Sequence, residues 1–159
     1  MIELEERLRR LEDVEAIRAL DARYCRLLDD GRWDELMEVF TEDGEFDGLS
    51  HPKGQSEMRA FFASLASGGL TSFWHFVTNF DIEVDGDTAT ARSFLWQPCV
   101  QNGEPWVAAG RYDDRVVRVD GRWLFRVKKV RFHYFAPLAE GWDENRFALD
   151  SARAAAVHP

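Results

Sequence analysis

The stretch Trp74–Phe135, WHFVTNFDIEVDGDTATARSFLWQPCVQNGEPWVAAGRYDDRVVRVDGRWLFRVKKVRFHYF, decides the fold. Three Asx-Gly pairs punctuate it: Asp85-Gly86, Asn102-Gly103 and Asp120-Gly121. Such pairs tolerate the positive φ angles of tight hairpin turns, and each is flanked by runs rich in Val, Thr, Phe and Trp. The pattern predicts an antiparallel meander with strands at 74–84, 88–100, 105–119 and 122–135.

Upstream the period changes from two to between three and four. Leu4, Leu8, Leu11, Val14, Ile17, Leu20, Tyr24, Leu27 and Leu28 mark one long helix, or two abutting ones, over residues 3–30. Asp29-Asp30-Gly31 ends it with a glycine stop. A short helix is expected over Trp33–Phe40, a turn at Thr41-Glu42-Asp43-Gly44 and a short strand at Glu45–Asp47. After the His51-Pro52-Lys53-Gly54 loop, Ser56 reads as the cap of a third helix over Glu57–Ser67. The tail from 140 to 159 carries a helical pattern around Phe147–Ala155. Helices followed by a run of antiparallel strands give an α+β domain, with the helices on one face of a strongly curved sheet. Such a sheet makes a cone, and a cone has a mouth.

Bulk properties narrow the function. The 159 residues suffice for a single domain with a real core, spanning 1–159 with no internal repeat or linker. Aromatic residues make up 13% of the chain, including 12 Phe and 6 Trp, which suits a pocket or interface with flat apolar walls. A formal charge of −9 argues against nucleic acid or an anionic membrane surface as partner. No secretory signal follows Met1 and no apolar run approaches the roughly 18 residues of a membrane span, so a cytoplasmic location is expected. Cys25 and Cys99 form no C-x-x-C pair and read as reduced thiols.

Chemistry can be sought by strand parity, because alternate side chains share a face. Over 74–84, Phe76, Thr78, Phe80, Ile82 and Val84 fall on one side, and His75, Val77 and Asn79 on the other. Over 122–135, Trp123, Phe125, Val127, Lys129, Arg131 and His133 share a face. By this parity Arg131 continues a partly apolar surface, where it needs a carboxylate or a ligand oxygen. Asp29, closing the long helix, and His75 would make a metal-free general base if the fold joined them, although nothing local forces them together. Tyr24 and Asp29 are offset by roughly 140° on the helix, close enough to border one wide mouth. His51, His75, His133 and Asp29 lack any metal-ligand spacing such as H-x-H or H-E-x-x-H. No phosphate loop, nucleophile elbow or dinucleotide fingerprint is present, so no cofactor is expected.

The run Ile17-Arg-Ala-Leu-Asp-Ala-Arg-Tyr24-Cys-Arg-Leu-Leu-Asp29, with Trp33-Asp-Glu-Leu and Phe40-Thr-Glu-Asp-Gly after it, resembles the opening of SnoaL-like proteins of the nuclear transport factor 2-like superfamily. His75-Phe-Val-Thr-Asn79, Gly86-Asp-Thr-Ala, Gly110-Arg-Tyr-Asp-Asp and Asp120-Gly-Arg-Trp123 continue the likeness over nearly the whole chain. Within that superfamily the pattern is most similar to scytalone dehydratase, lindane dehydrochlorinase and bile-acid 7α-dehydratase. Tyr134-Phe-Ala-Pro-Leu-Ala139 is similar to the corresponding stretch of the dehydrochlorinase. The resemblance implies a cystatin-like cone and an Asp–His pair at Asp29 and His75. From the bile-acid enzyme it also implies a Tyr and an Arg, at Tyr24 and Arg131.

The expected function is therefore a cofactor-free lyase acting on a small, hydrophobic, oxygenated ring compound. His75 would take the proton, Asp29 would orient it, and Tyr24 and Arg131 would stabilise the developing charge. Trp74, Asn79, Phe94, Trp96, Trp106, Phe132 and His133 are the expected substrate contacts. Other readings remain open on the same fold: a binding protein without turnover, an isomerase or cyclase, and a small subunit of a ring-hydroxylating dioxygenase. The resemblance also implies a homo-oligomer, trimer or dimer, formed through the open sheet face.

Overall fold

The computed structural model describes residues 3–140, so the tail helix expected around Phe147–Ala155 lies outside the described residues. The chain runs α1 (Leu4–Asp29), α2 (Trp33–Met37), β1 (Phe40–Asp47), α3 (Gly54–Ser64), β2 (Leu70–Phe73), β3 (Phe76–Asp85), β4 (Thr88–Gln101), β5 (Glu104–Val119) and β6 (Arg122–Pro137), with a last 3₁₀ turn at Leu138–Glu140. The strands form one sheet ordered β1-β6-β5-β4-β2, and β3 also pairs with β4. The helices cover its concave side, which is the nuclear transport factor 2-like, cystatin-like α+β arrangement. Among the described residues no helix is long and apolar enough to cross a membrane.

The meander forms where its turns dictate. Asn102 and Gly103, and Asp120 and Gly121, all have positive φ, as a two-residue hairpin turn requires at both central positions. Helix α1 contains no Gly or Pro and stops where Gly31 takes a φ of +67°. Its apolar stripe is used only in part. Ile17, Leu20, Tyr24, Leu27 and Leu28 enter the core, whereas Leu4, Leu8 and Leu11 stand exposed beyond the edge of the sheet. Buried Asp13 pins the middle of the helix to the strands. It accepts two bonds of 2.8 Å from Arg118 and one of 3.1 Å from Trp123 Nε1, and the Arg118 guanidinium holds its carboxyl below the usual range.

Four expectations about the elements are corrected. The second helix ends at Met37, because the Phe125 N–H bonds to the Val39 carbonyl and draws Phe40 into β1. The expected turn at 41–44 is the irregular middle of β1, which runs parallel to β6 and slips register between Phe40 and Glu45. The third helix starts at Gly54 rather than after Ser56. Its cap is Lys53, whose backbone N–H donates to the Glu57 carboxylate at 3.1 Å. The first long strand starts at Phe76 rather than Trp74, and a strand that was not expected, β2, lies end to end with it along β4, with Trp74 and His75 between the two.

Parity fails at three bulges, which decides which side chains face inward. Asn79, with a φ of +57°, breaks the β3 register between Thr78 and Asp81. Val77 therefore joins Phe80, Ile82 and Val84 on the half-buried face, and Phe76 is turned outward, 56% exposed. In β6, Arg126 is an extra residue between the Phe125 and Val127 pairings, and His133 is extra between Phe132 and Tyr134. The inward set is thus Trp123 and Phe125, then Lys128, Val130 and Phe132, then Phe135.

Candidate active site

The site lies at the break between β2 and β3, and Pro98 on β4 explains the break. The Pro98 carbonyl accepts from the Trp74 N–H at 3.1 Å, but proline has no N–H to return, so the ladder lapses at Trp74 and His75. His75, next along and opposite Gln97, has its N–H pointing away from β4, and it donates to Asp29 Oδ2 at 3.0 Å. Its ring Nδ1 lies 2.5 Å from Asp29 Oδ1. One carboxylate at the end of α1 therefore holds both the backbone and the imidazole of His75. The carboxylate cannot donate, so the proton of this bond sits on Nδ1, and Nε2 is left with a lone pair. Both side chains are largely buried, 5% exposed for His75 and 17% for Asp29. The Phe73 ring meets the imidazole edge-on at 5.6 Å.

His75 lines a narrow cavity of about 30 Å³ inside the cone. Its wall is mostly apolar, with Phe46, Phe61, Phe62, Phe73 and Phe132 as the aromatic part. The polar lining is His75, Tyr24, Tyr112 and Gln97. Among the described residues, the hydroxyls of Tyr24 and Tyr112, the amide of Gln97 and His75 Nε2 have no hydrogen-bond partner. Burial pushes both phenols well above their ordinary pKa, so they are neutral donors. The volume has room for a couple of waters, and a ring compound must part the Phe side chains to enter. His75 and Asp29 also border an outer cleft of about 370 Å³ between α1 and β3, together with Arg18, Asp21, Cys25 and Arg26.

The structure brings Asp29, His75, Tyr24 and Phe132 together and separates the other expected site residues from them. Arg131 projects from the face of β6 opposite to Phe132, because the bulge at Arg126 reverses the parity, and it faces Asp47 at 3.5 Å. Asn79 sits exposed at the β3 bulge, where its left-handed backbone is its contribution. Trp74, Phe94 and Trp96 are 53%, 44% and 41% exposed, with Phe94 and Trp96 on the convex face. Trp106 packs on Phe135 in the core, outside the cavity lining, and His133 is an exposed bulge residue. Among the described residues the third histidine, His51, bonds to Glu45 on the surface. Among the described residues no three His, Cys, Asp or Glu side chains are grouped to hold a metal ion.

The sequence reading missed Gln97, Tyr112 and the Phe residues of β1, β2 and α3. For Gln97 and Tyr112 a signal existed, since both share parity with the apolar residues of their own unbulged strands, Leu95 and Cys99 in β4 and Val116 in β5. It also missed Lys128. That ammonium is fully buried beneath Tyr24, bonded to Asp21 and, at 2.7 Å, to Asp114.

The family model described as SnoaL-like domain matches residues 9–129. The uncharacterised protein Rv2910c of Mycobacterium tuberculosis is 31% identical over 117 residues, covering 67% of this chain and 76% of its own. Hexachlorocyclohexane dehydrochlorinase LinA-type3 from Novosphingobium barchaimii LL02 superposes with a TM-score of 0.74 at 25% identity, over 83% of this chain and 94% of that one. A scytalone dehydratase-like protein from Novosphingobium aromaticivorans also reaches 0.74, at 24% identity over 80% and 89%, a likeness of fold alone.

Proposed function

The chain belongs to the SnoaL-like domain family, and we propose that within it this protein is a cofactor-independent lyase acting on a small hydrophobic ring ketone. The observation that carries the reading is the 2.5 Å bond from Asp29 to His75 Nδ1, which leaves Nε2 as a base in an apolar, water-poor cavity. The similarity to a dehydrochlorinase, whose reaction is an elimination, supports the same class.

In this reading His75 Nε2 takes a proton from the carbon next to the substrate carbonyl. The C–H electron pair becomes the new C=C bond, and the leaving group departs from the β carbon with its own pair. Where that group is hydroxide, the imidazolium returns the proton and water leaves; where it is a halide, the proton passes to solvent. Asp29 fixes the tautomer and stabilises the imidazolium. Tyr24, a neutral phenol on the cavity wall, donates to the carbonyl oxygen as negative charge develops there. Arg131, on the convex face, has no part. The exposed aromatic residues of that face, Phe76 and Phe94 among them, support assembly into a dimer or trimer. Sedimentation of the wild type against Phe94→Glu checks it: a monomeric wild type overturns this part.

The test uses 3-hydroxycyclohexanone and 3-chlorocyclohexanone and follows the conjugated enone that elimination produces. Wild-type turnover falling by about 10²–10⁴-fold in His75→Ala is the expected result. Saturable binding with no enone formed would favour a carrier. Turnover that survives in His75→Ala would overturn the mechanism.

A further inference from the structure

A primary amide on the wall of an aromatic cavity needs an explanation, because a buried polar group left unpaired forfeits its hydration and gains nothing in return. Gln97 is 4% exposed, lines the cavity and has no hydrogen-bond partner among the described residues. The strand register places it with care. On β4, Cys99 pairs with Phe73, Pro98 accepts from Trp74, and Trp96 pairs with Phe76, so Gln97 stands opposite His75 at the interruption between β2 and β3. Its other neighbour across the ladder is Ala108, which is fully buried and has nothing to offer the amide. The fold thus sets a neutral hydrogen-bond donor beside the base and gives it nothing of its own to bind.

The charge available at the cavity limits what can hold a developing oxyanion. The buried cation nearby, Lys128, is engaged by two carboxylates, Asp21 and Asp114. Neutral donors remain, and an oxyanion takes two of them readily along its lone pairs.

We propose that Gln97 is a second catalytic donor, its amide N–H joining the Tyr24 hydroxyl on the carbonyl oxygen of the substrate while His75 takes the proton from the adjacent carbon. This rests on the reading of His75 as the base. It also narrows the substrate class to compounds whose acidic C–H lies next to a ring carbonyl. Elimination from a ring lacking that carbonyl would leave the Gln97 amide unused.

The experiment separates this proposal from the base. p-Nitrophenol, a planar ring whose oxygen is coloured when ionised, serves as the enolate mimic, and toluene as the ring without oxygen. Wild-type protein is expected to bind p-nitrophenolate. Gln97→Met, close in size and without a donor, should weaken it at least tenfold while toluene binds unchanged. Gln97→Glu should weaken it further by repulsion. His75→Ala should leave phenolate binding within a few fold, since no proton is transferred. With the ring ketones, Gln97→Met should lower kcat by about 10²–10³-fold with little change in KM. Equal phenolate affinity in Gln97→Met and wild type, or no wild-type binding, overturns the role of Gln97. Turnover surviving in His75→Ala overturns the base instead, whatever Gln97 does.

Discussion

Helix α1 carries a buried aspartate, Asp21, and two turns on a partly buried one, Asp29, and the protein finishes one site while leaving the other open. At Asp21 the polar account is closed. The Lys128 ammonium bonds to Asp21 and Asp114, the backbone N–H of Lys129 supplies Asp114 Oδ1 at 3.0 Å, and the ring of Tyr112 lies 3.8 Å from the nitrogen. The lysine is wholly excluded from solvent. At Asp29 both carboxylate oxygens are used by His75, yet the imidazole keeps a free nitrogen beside a cavity whose other polar groups are also unpaired. A closed network spends its interactions on holding the fold, whereas an open one keeps them for a ligand. The contrast assigns structure to Lys128 and chemistry to His75, and each assignment can be broken.

The largest effect belongs to Lys128. Lys128→Met keeps the length and packing of the side chain but strands two carboxylates in the core, a loss of about 3–5 kcal/mol. Against a usual total of about 5–15 kcal/mol, urea titration should show a protein near the edge of folding. His75→Ala removes one partly buried side-chain hydrogen bond and keeps the backbone N–H bond to Asp29, and the same titration should show a loss of only about 1–2 kcal/mol. Equal losses in the two variants would erase the distinction between the sites.

A smaller effect follows the proton. Burial, aided by the Asp21 charge and opposed by Lys128, pushes the Asp114 carboxyl up to about 7. Its pKa is thus raised above the unfolded value, so folded protein holds a proton there that unfolded chain has released. The stability this group contributes is fully present below about pH 4 and is lost as pH rises through about 7. Denaturation measured between those limits should show wild type losing stability with pH relative to Asp114→Asn. A parallel pair of curves would mean that Asp114 stays ionised throughout.

The contrast between the two sites also explains what the sequence could and could not disclose. The meander was legible because its turns are chemical: only Asx-Gly pairs take two positive φ angles cheaply, and Asn102-Gly103 and Asp120-Gly121 do. The long helix was legible from its period and its glycine stop. The parallel pairing of β1 with β6 was not, since no local residue encodes a partner some 80 positions away. Nor was the interior of β6, where one extra residue at Arg126 moves every later side chain to the other face. That single slip sends Arg131 outward and Lys128 inward, against the usual preference of lysine for solvent. Asp29 and His75 were found through family likeness rather than spacing, and Pro98, which leaves the Trp74 carbonyl without a return bond from β4, gave a signal that is readable only once its neighbour in the sheet is known.

The smallest prediction probes the boundary between the two sites. Ser93 lies on the inner face of β4, directly across the ladder from Tyr112, and its hydroxyl is buried without a partner. It does not line the cavity. If the region around Lys128 is closed to ligands, this hydroxyl is only a desolvated group. Ser93→Ala should then be neutral or raise stability by up to about 1 kcal/mol, with phenolate binding unchanged. Should Ser93→Ala instead weaken phenolate binding, the ligand must reach past Tyr112 towards the lysine. The open site would then extend into the closed one, and Lys128 would have to be counted among the groups that face the substrate.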